Sequence, residues 1–309
     1  MKILVVGAGA VGGFVGGRLQ QAGREVEFLV RPGRAEQLRQ RGLRILDGGQ
    51  AEVIQATPVT AGAISGPFDL VLLSVKGDAL AAAMADVAPA VGPGTALVPF
   101  LNGISHLEAL TGRFGSAVLG GTAQVVTQLE PSGDIRQYLP GGQIEVGELD
   151  GAPGGRLDAV AEALTIPGFT VTVPADIVSA MWHKWVMIAT VGAVTSLACG
   201  TIGDVAALTD GAQFAAATLG EAAAVAAAAG HKLDEAGPDA LGNLVAAAGF
   251  PLTSSLSRDL AAGRATEVEN VLGDLIGRGR AAGVPVPRLE AAALTLRAHN
   301  QRQAAPAAS

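Results

Sequence analysis

Four short apolar runs mark the first hundred residues, at 2–6, 25–30, 70–75 and 96–99. Segments long enough for crossover helices separate them, so the pattern predicts a parallel sheet with helices packed on it. From residue 118 the runs shorten and turn residues crowd between them, in VLGGTAQVVTQ, GDIRQYL and GGQIEVGEL. These predict an antiparallel extension of the sheet, and PGFTVTVPADI adds one more strand, closed by Pro174. After Pro174 strand patterns nearly vanish. Alanine-rich stretches such as DGAQFAAATLGEAAAVAAAAG predict helices, with Phe214 and Leu219 as their larger apolar side chains and Gly230 where a C-cap belongs. The expected boundary is therefore Pro174, with an α/β domain over residues 1–174 and an all-α domain over 175–309.

Composition narrows the class. Aromatic residues make up 4% while glycine reaches 43 positions, so Ala, Val, Leu and Gly must do the packing. A net charge of -7 leaves no basic stripe for a phosphate backbone, which excludes nucleic acid as the expected partner. A single cysteine, Cys199, excludes an internal disulfide framework and fits a reducing compartment, so a cytoplasmic location is expected. The start, MKILVVGAGAVGGFVGG, superficially resembles a secretion signal, but six glycines would break its apolar helix. The longest uncharged apolar stretch, 185–199, is too short for a bilayer span and contains two threonines and a serine. No membrane association and no metal are expected.

The most specific motif is Gly7-Ala8-Gly9-Ala10-Val11-Gly12. It follows a strand and opens a helix, the setting a GxGxxG fingerprint needs: glycines for the tight turn and for close approach of a pyrophosphate, with the helix N-terminus facing the phosphates. The plainer reading is a glycine-rich turn with no ligand. A site for NAD usually carries Asp or Glu at the end of the second strand, whereas EVEFLVRPGR ends here in Arg31, with Arg34 after a Pro-Gly turn. An arginine fork pairs with a 2′-phosphate, so NADPH/NADP+ is favoured. The alternative is that both arginines are solvated loop residues. Lys76 and Asn102 fall just past predicted strands, where ligands gather in open α/β sheets. Taken alone, the first reads equally as a surface charge and the second, ahead of Gly103, as a turn former.

In MWHKWVMIATVG, residues 181–192, Lys184 stands between two tryptophans and ahead of an apolar run. Together with the glycine loop, SVKGDAL, LNGISHLEAL and the long segment SSLSRDLAAGRATEVENVLGDLIGRGRAAGVPVP, it resembles the ketopantoate reductase family, the 2-dehydropantoate 2-reductases. The likeness runs in order over nearly the whole chain. It implies a Rossmann-type domain followed by a helical domain of the 6-phosphogluconate dehydrogenase type, and NADPH-dependent reduction of ketopantoate to pantoate in pantothenate biosynthesis. It also implies roles. Gly7, Gly9, Ala10, Gly12 and Arg31 hold the cofactor; Lys76 and Asn102 are the polar pair beside cofactor and substrate; Ser255 and position 188 face the substrate. Lys184 is the catalytic lysine, and Glu267 is its acidic neighbour near cofactor and substrate. The expected partner is a small 2-ketoacid, and the family leaves room for a homodimer.

Hydride delivery to a carbonyl carbon leaves a negative oxygen, and an ammonium aimed at that oxygen both stabilises it and supplies the proton. The plainer alternative for Lys184 is an amine that reaches water over the tryptophans. For Glu267 it is an acidic first-turn position in a TEVE capping box. Two departures bear on substrate. Many family members carry asparagines four and eight positions after the lysine, on its face of the helix, where this chain has Ile188 and Gly192. Leu252 stands where some members have a polar residue. A wall without those hydrogen bonds favours a more apolar ketoacid or imine, and a non-enzymatic NADPH sensor is the remaining alternative.

Overall fold

The computed structural model describes residues 1–233 and 236–304. The chain divides into two compact units, Met1–Ala180 and Met181–Ser309.

The first unit runs β1 (Lys2–Val6), α1 (Ala10–Gln21), β2 (Glu25–Leu29), α2 (Pro32–Arg41), β3 (Leu43–Asp47), β4 (Gln50–Ile54), β5 (Thr57–Val59), β6 (Leu70–Leu73), α3 (Leu80–Val87), β7 (Ala96–Pro99), α4 (His106–Phe114), β8 (Gly120–Gln124), β9 (Thr127–Leu129), β10 (Ile135–Gln137), β11 (Gly142–Gly147), α5 (Gly155–Leu164) and β12 (Phe169–Thr172). Strands β5-β2-β1-β6-β7 pair in that order, every pair parallel, so the four predicted apolar runs form one doubly flanked sheet. In β1, Ile3, Leu4, Val5 and Val6 are all buried, as a central strand covered on both faces requires.

The strands after residue 118 depart from the expected extension. They build two separate mixed sheets, β4-β3-β10-β9 and β12-β11-β8, and the link to the parallel sheet is an isolated bridge between Leu97 and Val118. The reason is a hairpin absent from the pattern reading. Asp47 pairs with Gln50 across Gly48 and Gly49, both at positive φ, so the two-residue turn folds β4 back on β3. Strand β3 then offers its other edge to β10, with Ile45 and Ile135 buried side by side.

The second unit is built of helices and their connections, with no strand among its described residues. Its helices are α6 (Ile177–Ala198), whose first residues belong to the first unit, then α7 (Ile202–Ala206), α8 (Gly211–Ala228), α9 (Ala236–Val245), α10 (Ser255–Ala261), α11 (Asp274–Ala281) and α12 (Pro287–Ala304), with a π-helical turn at Glu269–Gly273. Helix α6 is long and apolar enough to cross a membrane, yet 61% of its apolar window is buried within the protein. It is a core helix: Trp182, Trp185, Val186, Ala189, Ala193 and Val194 are all buried. At the end of α8, Gly230 takes φ +90 and the His231 amide donates to the Ala226 carbonyl, closing the helix as its glycine predicts. Buried Glu221 on α8 accepts from the Arg288 and Leu289 amides, so one helix supplies the N-terminal cap of α12, whose first residue, Pro287, has no N–H to satisfy.

The TEVE capping box does not form. Thr266 donates its amide and hydroxyl to the Asn300 side chain on α12, and Glu269 makes a two-pronged ion pair with Arg297 at 2.6 and 2.7 Å. Tertiary partners outcompete the local box, and Glu267 is left just ahead of a π-helical turn rather than inside an ordinary first turn.

Candidate functional site

Strand β1 ends at Val6, and Gly7 turns the chain at φ +96 while its amide donates to the Leu29 carbonyl at 3.0 Å. A Cβ at Gly7 would strike the Ser74 carbonyl, and one at Gly12 would strike the Gly7 carbonyl and the Ser74 side chain. These two glycines are demanded by packing against the end of β6. Gly9 is different, because nothing lies within 4 Å of where its Cβ would be. It is the N-cap of α1, no side chain caps that end, and no acid lies in the first turn. The positive end of a twelve-residue helix thus meets open space at the one glycine that packing does not require, which fits the pyrophosphate of a dinucleotide.

The end of β2 tells the same story. Glu27 is committed to Lys2 at 3.1 Å, and Glu25 stands at the opposite end of the strand from Leu29, so no carboxylate lies at the end of β2 where a ribose would sit. Arg31 is exposed and N-caps α2. Arg34 is half-buried and turned inward, its Nη2 donating to the Ala8 carbonyl at 3.1 Å and its Nη1 to Gln37. Burial pulls its guanidinium below the usual range, Asp134 opposes this, and Arg41 adds to it.

Lys76 lies two residues beyond Ser74 and is exposed, at the start of a short 3-10 turn. Asn102 is half-buried, just past β7, and Gly103 beside it takes φ +76, so the turn-former reading is fulfilled while the asparagine side chain stays at the same sheet edge. Gly7, Gly9, Ala10, Gly12, Arg31, Lys76 and Asn102 therefore all follow the carboxyl ends of β1, β2, β6 and β7, neighbours in one sheet.

In the second unit Lys184 is half-buried on α6, one residue from Trp185, which is fully buried. The two indoles tilt against each other at 4.9 Å between centroids, His231 stacks on Trp182, and the Arg278 guanidinium lies 5.6 and 5.7 Å from the two indole rings. The Trp185 Nε1 donates to the Val271 carbonyl at 2.8 Å. Val271 lies inside the π-helical turn, and its own amide donates to the Glu267 carbonyl, so one bond ties the lysine-bearing turn to the glutamate-bearing segment. Insertions of this kind recur at functional sites, and nothing in the sequence pattern announced this one. Glu267 accepts from the Asn270 side chain at 3.4 Å.

Ile188 continues the Lys184 face and is half-buried. At Gly192 a Cβ would come within 3.0 Å of Leu256, and further along the face Thr195 shares a hydrogen bond of 2.9 Å with Ser254. The start of α10 is thereby docked on the far part of this helix face, which brings exposed Ser255 beside it. Leu252 packs with Val191, Val194, Ile202 and Val205, so it is committed to the core.

Two family models match, ketopantoate reductase PanE/ApbA over residues 3–151 and ketopantoate reductase PanE/ApbA C terminal over residues 176–300. An uncharacterized oxidoreductase, YkpB of Bacillus subtilis, is 33% identical over 291 residues, covering 94% of this chain and 96% of the other. Among solved structures, the 2-dehydropantoate 2-reductase of Geobacter metallireducens superposes with TM-score 0.86 at 25% identity, covering 96% of this chain and 99% of the other. D-mandelate dehydrogenase with NADH and anilino(oxo)acetate superposes at 0.87 with 20% identity over 99% of this chain and all of the other, a likeness of fold.

Proposed function

The chain belongs to the ketopantoate reductase family, and on that premise we propose that it reduces ketopantoate to pantoate with NADPH, as a step of pantothenate biosynthesis in the cytoplasm. The observation that carries the reading is Lys184, a half-buried amine on an α6 face that otherwise continues through Ile188 and Gly192. NADPH, when bound, supplies the hydride. The rest of the chemistry falls to the chain. The Gly9 end of α1 holds the pyrophosphate through its backbone N–H groups, and exposed Arg31 pairs with the 2′-phosphate. Lys76 and Asn102 orient the nicotinamide side of the site. Lys184 donates its proton to the substrate oxygen as the carbonyl carbon becomes tetrahedral, so the products are a 2-hydroxyacid and NADP+. Ser255 and Glu267 hold the polar end of the substrate, with Glu267 also balancing the ammonium.

A second reading of substrate has its own observation. Gly192 is closed off by Leu256, and Ile188 offers no hydrogen bond, so the lysine face presents hydrocarbon where hydroxyl partners are expected. This favours a 2-ketoacid with an apolar substituent over ketopantoate, whose hydroxyl would lose a partner at a cost on the order of a few kcal/mol. NADPH consumption with ketopantoate and a panel of apolar 2-ketoacids, for the unaltered protein and Lys184→Ala, tests both. Ketopantoate preference lost in the variant supports the first reading, and preference for an apolar ketoacid supports the second. Tight NADPH binding without turnover of any ketoacid refutes both and leaves a sensor.

A further inference from the structure

Both Arg31 and Arg34 stand where a cofactor phosphate could be read, yet only one of them is turned outward. We infer that Arg34 is a positioning residue that braces the glycine loop from behind, and that it takes no part in choosing between NADPH and NADH. The inference rests on the cofactor reading above and extends it to a residue with a different task.

The brace can be followed bond by bond. Arg34 Nη2 holds the carbonyl of Ala8, the buried residue between the two loop glycines Gly7 and Gly9. Its Nη1 is held in turn by the Gln37 side-chain oxygen, whose Nε2 donates to the Ser132 carbonyl at 2.6 Å. Arg41 donates to the same carbonyl at 3.0 Å and pairs with Asp134 at 3.3 Å, while Arg44 pairs with Asp134 at 3.2 Å. The turn between β9 and β10 is therefore clamped to α2, and Gly133 in that turn leaves the space that Arg34 and Gln37 fill. The same hairpin reaches the loop a second time, where Thr127 donates to the Ala10 carbonyl at 2.9 Å. Both terminal nitrogens of the fork, Nη1 and Nη2, are bonded on the protein side, and a carbonyl held in place keeps the neighbouring amides aimed at the pyrophosphate.

Dissociation constants for NADPH and NADH on Arg34→Gln, Arg34→Lys and Arg31→Ala separate the two tasks, with circular dichroism as the check on folding. Both cofactors share the pyrophosphate, so Arg34→Gln is expected to weaken NADPH and NADH by the same factor, about tenfold, with the preference between them unchanged. Arg34→Lys keeps one donor for Ala8 and is expected to recover part of that loss for both cofactors alike. Arg31→Ala is expected to weaken NADPH alone. Loss of NADPH affinity in Arg34→Gln with NADH untouched would assign Arg34 to the 2′-phosphate and overturn the inference. Unchanged affinity for both in a folded variant would overturn it as well. If the unaltered protein binds neither nucleotide, the cofactor reading itself falls, and this one with it.

Discussion

Replacing Glu221 with Ala tests how the second unit is held together. The carboxylate is 8% exposed and accepts from the amides of Arg288 and Leu289, two of the donors that the first turn of α12 cannot satisfy internally. Each bond to a charged acceptor contributes roughly 1.5 kcal/mol net, so stranding both amides costs about 3 kcal/mol. The Arg288 guanidinium, at 2.9 Å, adds less than about 1 kcal/mol because its side chain is 40% exposed. Both amides meet the same oxygen, Oε2, so Glu221→Gln keeps an acceptor for them but loses its charge, and is expected to cost about half as much. Urea unfolding followed by tryptophan fluorescence is the assay, because both tryptophans of the chain, Trp182 and Trp185, lie in the helical unit. The signal then reports that unit and avoids treating a two-unit chain as one transition. With a slope of about 2 kcal/mol per molar urea, the midpoint falls by about 1.5 M for Ala and by about half that for Gln. A midpoint within about 0.2 M of the unaltered protein for Glu221→Ala would refute the cap. Equal damage from both substitutions would show that charge, not the count of acceptors, matters.

Gly9→Ala is expected to leave the melting temperature unchanged while weakening NADPH about tenfold or more, whereas Gly12→Ala, forced against the Gly7 carbonyl, is expected to lower stability by about 1–3 kcal/mol; calorimetry and nucleotide titration read the two effects separately. Ile188→Asn returns a hydrogen-bonding group to the lysine face, and kcat/KM is expected to move about tenfold toward hydroxylated 2-ketoacids relative to apolar ones. The Arg297 hydrogen bond holds the Glu269 carboxyl below its ordinary range. The stability from this pair is therefore complete above the ordinary carboxylate pKa of about 4.3 and is lost as pH falls through the lower folded value. The difference in unfolding midpoint between Glu269→Gln and the unaltered protein should shrink between pH 6 and pH 3, within a screened and mostly exposed pair.

Strands β1, β6 and β7 were legible because they are buried on both faces and so read as continuous apolar runs, whereas β5, three residues at the sheet edge with none fully buried, gave no such run. The hairpin β3–β4 was not legible, because its alternating residues, such as Arg44 and Glu52, interrupt any such run; Asp47-Gly48-Gly49 was the available signal. The glycine loop follows β1 as its motif predicts, with Gly7 and Gly12 answering local steric demands and Gly9 facing open space. Arg34 could not be told from Arg31 in the sequence. Their difference lies in a turn near residue 132, almost a hundred positions away. The π-helical turn and the failure of the TEVE box share that cause, because Trp185, Asn300 and Arg297 come from distant helices to take over bonds that local pattern assigns nearby.

The clamp on the glycine loop also has a place in time. Strand β10 pairs with β3 in parallel, joining Ile135 to Ile45 across some ninety residues, whereas β1, α1 and β2 are neighbours along the chain. Loop closure over that distance is entropically costly and slow, so the β1–α1–β2 segment is expected to form before the hairpin that steadies it arrives. During refolding, competence to hold a nucleotide should therefore lag behind formation of the β1–α1–β2 segment, and an excess of nucleotide would stabilise only the chains that have completed the slower pairing.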